Sequence, residues 1–123
     1  DLICFEVLFP EFVADAVDES PPGGVLVTAS FDAWFGKNHA PKQHLAASVI
    51  RAVENRLPLV HVINNGPSAV IMPSGHIVAQ TDPFEKLAVT VDMPYSEKLE
   101  GSFYSAYPRM FIFSVYALLF MVL

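Results

Sequence analysis

The stretch PKQHLAASVIRAVENRLPLVHVIN (41–64) limits the possible folds of this chain more than any other. Leu45, Val49, Ala52 and Val53 recur at helical spacing, while Lys42, Ser48, Arg51 and Asn55 lie elsewhere on the cylinder. That pattern predicts an amphipathic helix from about Pro41 to Arg56. It runs straight into PLVHVIN (58–64), which reads as a strand, and it is preceded by VLVTAS (25–30), a second short buried strand. Strands on both sides of an amphipathic helix point to a layered α/β fold, with the sheet covered by helices.

The rest of the chain extends this pattern. Residues 2–5 (Leu-Ile-Cys-Phe) read as a buried strand. Pro10 suits the first position of a helix, where its missing N–H would be unpaired anyway. Phe12, Val13, Ala16 and Val17 then form an apolar stripe, and Asp18 and Glu19 oppose the helix dipole at its end. SPPGG (20–24) is a break, and FDAWFGKNHAPKQH (31–44) is a long polar-aromatic connection. AVIMPSGHIVAQ (69–80) predicts a hairpin about Pro-Ser-Gly, and LAVTVDM (87–93) alternates as a strand would.

Composition narrows the class. With 53% hydrophobic and 16% charged residues and a mean hydropathy of +0.42, the chain is too apolar for an ordinary small soluble domain. Part of it is expected to sit in lipid or against further protein. The run MFIFSVYALLFMVL (110–123) carries no charge and follows Tyr104, Tyr107 and Arg109. As a helix it would extend about 21 Å, two-thirds of a hydrocarbon core of ~30 Å, so it reads as the start of a transmembrane helix. The expected organisation is residues 1–95 as a domain portion, 96–109 as a linker and 110–123 as a truncated membrane helix, in a fragment cut at both ends. Seven basic against thirteen acidic side chains, with no basic cluster, argue against a nucleic-acid partner.

The chain has one cysteine, Cys4, so no internal disulfide forms and neither redox compartment is excluded. Cys4 stands at a predicted strand end, shortly before a helix N-terminus. From spacing alone it reads first as a buried hydrophobe. The alternative is a nucleophile, with the Phe5 N–H directed at a developing oxyanion and Glu6 supporting the thiol. Trp34 and Phe35 suit the lining of an apolar substrate pocket or simple core packing about equally. His39 and His44 do not share a helix face and have no clustered ligands, so metal binding is not expected and capping or surface roles fit better. Asn64, Asn65 and Gly66 read as a turn, and Arg51 with Glu54 as a solvated helix pair.

The segments ICFEVLFPEFV, SFDAWFG, PKQHLAASVIRAVENRLPLV and NNGPSAVIMPSGHIVA, in this order and spacing, resemble the apolipoprotein N-acyltransferases. These form the membrane-embedded branch of the nitrilase (carbon-nitrogen hydrolase) superfamily. The likeness covers residues 2–93. It implies the C-terminal half of a nitrilase-like α-β-β-α sandwich, working without a cofactor. It also implies a Glu-Lys-Cys triad in which Cys4 is the nucleophile and Glu6 the acidic residue just after it, with the triad Glu and Lys outside this chain. The implied reaction takes an acyl chain from a phospholipid onto Cys4 as a thioester. The acyl chain then passes to the N-terminal amine of a lipidated apolipoprotein, at the periplasmic side of the inner membrane. Two departures stand out: Phe31 replaces the Asn common before Asp-Ala-Trp-Phe-Gly, and LEGSFYSAYP (99–108) differs from the family pattern. The competing readings are a soluble nitrilase-type amidase and a non-catalytic, membrane-anchored domain of the same fold.

Overall fold

The computed structural model describes residues 1–21, 23–93, 95 and 101–122. A five-stranded mixed sheet forms from β1 (Leu2–Ile3), β2 (Leu26–Phe31), β3 (Leu59–Asn64), β4 (Ala69–Ile71) and β5 (Ile77–Gln80), in spatial order β1-β2-β3-β4-β5. β1, β2 and β3 are parallel, and β4 and β5 are antiparallel additions. Helix α1 (Pro10–Asp18) connects β1 to β2, and α2 (Ala40–Asn55) connects β2 to β3. Right-handed crossovers between strands in sequential order place both helices on one face of the sheet. α1 and α2 do pack against each other there.

Local chemistry explains these elements. α1 has Pro10 in its first turn and buries Val13, Ala14 and Val17. Phe12, expected in the buried stripe, is exposed instead; the buried side runs through Val13, Ala14 and Val17, which share one helix face at i, i+1 and i+4. α2 ends where Arg56 turns left-handed (φ +52°) and the Leu57 N–H reaches back to the Ala52 carbonyl (3.2 Å). Leu57 then buries its side chain, the hydrophobic contact that accompanies this type of helix end. The β4–β5 connection turns at Met72–Gly75, with Gly75 at φ +84°. A Cβ there would lie 2.9 Å from Val53 Cγ2, so both conformation and space require glycine.

The core lies between the sheet and the two helices, built on Leu2, Val13, Leu26, Leu45, Leu59 and Ile71. The opposite sheet face is open: Ile3 is 69% exposed, Phe31 58% and Val62 49%. Residues 85–91 run across part of it and bound a cleft of about 590 Å³ with β3, β4 and β5. The strand expected at 87–93 does not form. Leu87, Val89 and Val91 line the cleft instead, Leu87 and Val89 still about half exposed, so their alternation turns one side toward a sheet face without a ladder of hydrogen bonds.

Two further helices follow, α3 (Phe103–Ala106) and α4 (Pro108–Val122). α3 thus interrupts the expected linker, of which residues 96–100 lie outside the described residues. Ser102 caps α3 by accepting the Ser105 N–H at 3.0 Å, and its hydroxyl donates to the Glu54 carbonyl, tying α3 to α2. α4 has 15 residues, and Phe113, Phe120, Met121 and Val122 are among its exposed side chains. Among the described residues no helix is long and apolar enough to cross a membrane.

Candidate active site

Cys4 follows β1 directly and opens a 3-10 turn, Cys4–Leu8. Its φ of +53° is left-handed, a conformation that costs a non-glycine residue about 1–3 kcal/mol. The chain therefore breaks sharply at the strand end and lifts the thiol out of the sheet. The side chain is half-buried. Glu6 serves this turn from within: its carboxylate accepts the Ile3 N–H at 2.6 Å. The Phe5 amide lies ahead of the first hydrogen bond of the 3-10 turn, among the N–H groups that such a turn leaves free.

An aromatic surface adjoins Cys4. The Phe5 ring meets Trp34 and Phe35 edge-on, each at 5.9 Å between centroids, and Trp34 stacks on Phe35 at 4.2 Å. Trp34 is 63% exposed, so these rings form an open apolar ledge and not core packing. The sharp turn Asp32–Gly36, with Ala33–Phe35 as a 3-10 turn, places both rings there.

Beneath the ledge is a set of polar side chains that the sequence reading missed. His44 is not at the surface: it is 3% exposed, and its partner Asp32 only 1%. His44 Nδ1 lies 3.0 Å from Asp32 Oδ2, while Nε2 lies 3.1 Å from the carbonyl oxygen of Cys4. Ser30 donates its hydroxyl to Asp32 Oδ1 at 2.7 Å. Behind His44, the ring of His61 meets it edge-on at 5.3 Å, and His61 Nδ1 is 2.8 Å from the Ser48 hydroxyl. Burial, reinforced by His44 and opposed by Asp32, pushes His61 down to about 4, so it is neutral at pH 7. His39, by contrast, is exposed at the start of α2.

Polar residues therefore fill one side of a helix expected to turn them outward. His44, Ser48, Arg51 and Asn55 are all buried on α2. Arg51 and Glu54 form a pair, as expected, with Nε 2.8 Å from Oε2, but Arg51 is buried and not solvated because α3 comes down beside it. Burial raises Glu54 above the ordinary carboxylate range, against the lowering effect of Arg51. A signal for the buried set was present: Thr28 and Ser30 of β2 and Asp32 just past its end alternate in the sequence, and Asp32 meets His44 of α2. Asn65 adopts φ +62° in the expected turn, and Gly66 packs so closely on Ile63 that a Cβ would lie 2.5 Å from Ile63 Cγ2. Among the described residues, no group of three His, Cys, Asp or Glu side chains is arranged to hold a metal ion.

A half-buried thiol on a strained turn at the end of a parallel strand, with a polar interior below and an aromatic ledge beside it, is suited to nucleophilic attack. The family model for carbon-nitrogen hydrolases matches residues 2–99. The chain belongs to the carbon-nitrogen hydrolase family. Its curated relatives include apolipoprotein N-acyltransferases. That of Geobacter metallireducens is 38% identical over 94% of this chain, and that of Rickettsia bellii 44% identical over 66%. The chain spans only 22% and 16% of these two relatives. Among solved structures it is similar to Saccharomyces cerevisiae Nit3, a member of branch 10 of the nitrilase superfamily. That match has a TM-score of 0.50 and 23% identity, covering 68% of this chain and 33% of Nit3. It establishes the nitrilase-like α/β fold.

Proposed function

We propose that this chain supplies the nucleophile-bearing part of an apolipoprotein N-acyltransferase. The observation that carries the reading is the placement of Cys4 on a left-handed turn at the end of β1, beside the exposed Trp34–Phe35 ledge. Sustained identity to apolipoprotein N-acyltransferases across most of the chain supports it. In this reading the Cys4 thiolate attacks the ester carbonyl of a phospholipid, the Phe5 N–H helps to hold the oxyanion, and the lysophospholipid leaves as the alcohol. The amine of a lipidated apolipoprotein then attacks the thioester and regenerates the thiol. Glu6 supports the turn through Ile3, and the ledge receives the acyl chain. The base Glu and the oxyanion Lys are contributed from outside residues 1–123.

In this reading residues 1–95 belong to the catalytic domain, 96–109 lead from it, and 110–123 are the start of a membrane helix. The exposed apolar side chains of α4 beyond Arg109, none of them charged, support that assignment. The domain faces the periplasm from the inner membrane. The test is Cys4→Ser in the full-length protein. Acyl transfer from phospholipid to a lipidated acceptor should be abolished, because an unactivated hydroxyl is a far weaker nucleophile than a thiol. Retained transfer would mean that the nucleophile lies elsewhere.

A further inference from the structure

We infer that His44 is a positioning residue for Cys4: bridging the buried Asp32 carboxylate and the Cys4 carbonyl oxygen, it holds the left-handed turn that presents the thiol. The inference rests on the reading of Cys4 as the nucleophile. It adds a part of the machinery that lies within this chain, 40 residues along the sequence from Cys4.

The geometry gives His44 one arrangement. The Cys4 carbonyl can only accept, so Nε2 at 3.1 Å must carry its hydrogen and donate. On the other side Asp32 lies 3.0 Å from Nδ1, and its carboxylate already accepts the Ser30 hydroxyl. The ring thus stands between a carboxylate and a carbonyl. His44 cannot swing away: Phe5 lies over it at 6.0 Å and His61 stands edge-on behind it at 5.3 Å. His61 is itself fixed through Ser48.

The bond falls on the carbonyl of the very residue whose φ is +53°. A peptide in that region is not held there by its own preference, so contacts must maintain it; Glu6 ties the turn to Ile3, and the His44 bond falls on the Cys4 carbonyl itself. Without the His44 donor, the turn can relax toward the extended conformation of β1. The thiol, and the Phe5 N–H next to it, would then lose their common alignment. This contact touches neither acyl group nor thiol. It acts on the rate of attack through geometry.

The test uses single-turnover acylation of Cys4 in the full-length protein, presented with mixed phosphatidylethanolamine and phosphatidylglycerol micelles. Each rate is normalised to folded protein. His44→Leu should lower the maximal acylation rate on the order of 100-fold, the scale of an ångström-level misplacement, with the half-saturating phospholipid concentration little changed. His44→Gln, whose amide reaches the Cys4 carbonyl, should recover much of the rate. His44→Asn, too short to reach it, should not. A wild-type rate in folded His44→Leu would overturn the inference. So would equal rates for the Gln and Asn variants, a comparison that decides the matter even where His44→Leu fails to fold. Cys4→Ala run alongside separates the two claims: acylation that survives it sinks the nucleophile and not the role of His44.

Discussion

The two faces of the sheet differ in what they need. The face under α1 and α2 is finished within this chain. Leu59 and Ile71 are fully buried there, and even its polar members, Thr28, Asp32 and His61, are closed off from solvent. The opposite face presents Ile3, Phe31 and Val62, with residues 85–91 over one part of it. An apolar sheet face left open costs solubility and stability unless further protein covers it. The difference teaches that the scaffold beneath Cys4 is local, whereas the apolar face opposite it has no cover among the described residues beyond 85–91.

The comparison can be broken most severely at Leu59. Leu59→Ala should destabilise residues 1–123 by about 2–5 kcal/mol, as for any fully buried leucine whose cavity cannot collapse. Denaturant melts would show it, and a cost below about 1 kcal/mol would mean that the closed face is not the core.

A second effect comes from the interior polar set. His61 lies near 4 when folded and has an ordinary value of 6.5, so between these pH values the unfolded chain binds more protons. The stability linked to a neutral His61 is therefore complete above pH 6.5 and lost as pH falls toward 4. At 1.36 kcal/mol per unit this amounts to about 3 kcal/mol. Melts at pH 7, 5.5 and 4 should show the loss in the wild type and a flatter profile in His61→Gln. Parallel profiles would mean that His61 is not held neutral by its burial.

The smallest effect sharpens the contrast. Val62→Thr on the open face should change the stability of residues 1–123 by less than about 0.5 kcal/mol, since its hydroxyl reaches water. In the full-length protein the same change should cost about 1–3 kcal/mol, because covering protein would strand that hydroxyl. Equal small effects in both would show that the open face stays open.

Most of the scaffold was legible in the sequence because its apolar residues recur with clear periods. β2, β3, both crossover helices and the hairpin about Pro73–Gly75 lie where those periods predict, within a residue or two. Two features were not legible, for opposite reasons. Leu87, Val89 and Val91 alternate as a strand does, yet they use one side to lie over the sheet, and period alone does not distinguish the two uses. His44, Ser48 and Arg51 were read as outward-facing because polar residues on a helix are ordinarily solvated. Here His44 and Ser48 are buried against Asp32 and His61, and Arg51 against Glu54, so only pairing polar partners across elements would have found the first two. From its setting alone Cys4 reads first as a buried hydrophobe; its half-exposure, its left-handed backbone and the His44 bond to its carbonyl are tertiary facts.

The most direct test of Cys4 as an acyl-accepting nucleophile is intact-mass analysis of the full-length protein. The protein is incubated with phosphatidylethanolamine in the absence of an acceptor, and the adduct is mapped by peptide. One acyl chain should appear on Cys4 and leave on treatment with hydroxylamine, as a thioester does. An unmodified Cys4, or an adduct that persists in Cys4→Ala, would contradict the account.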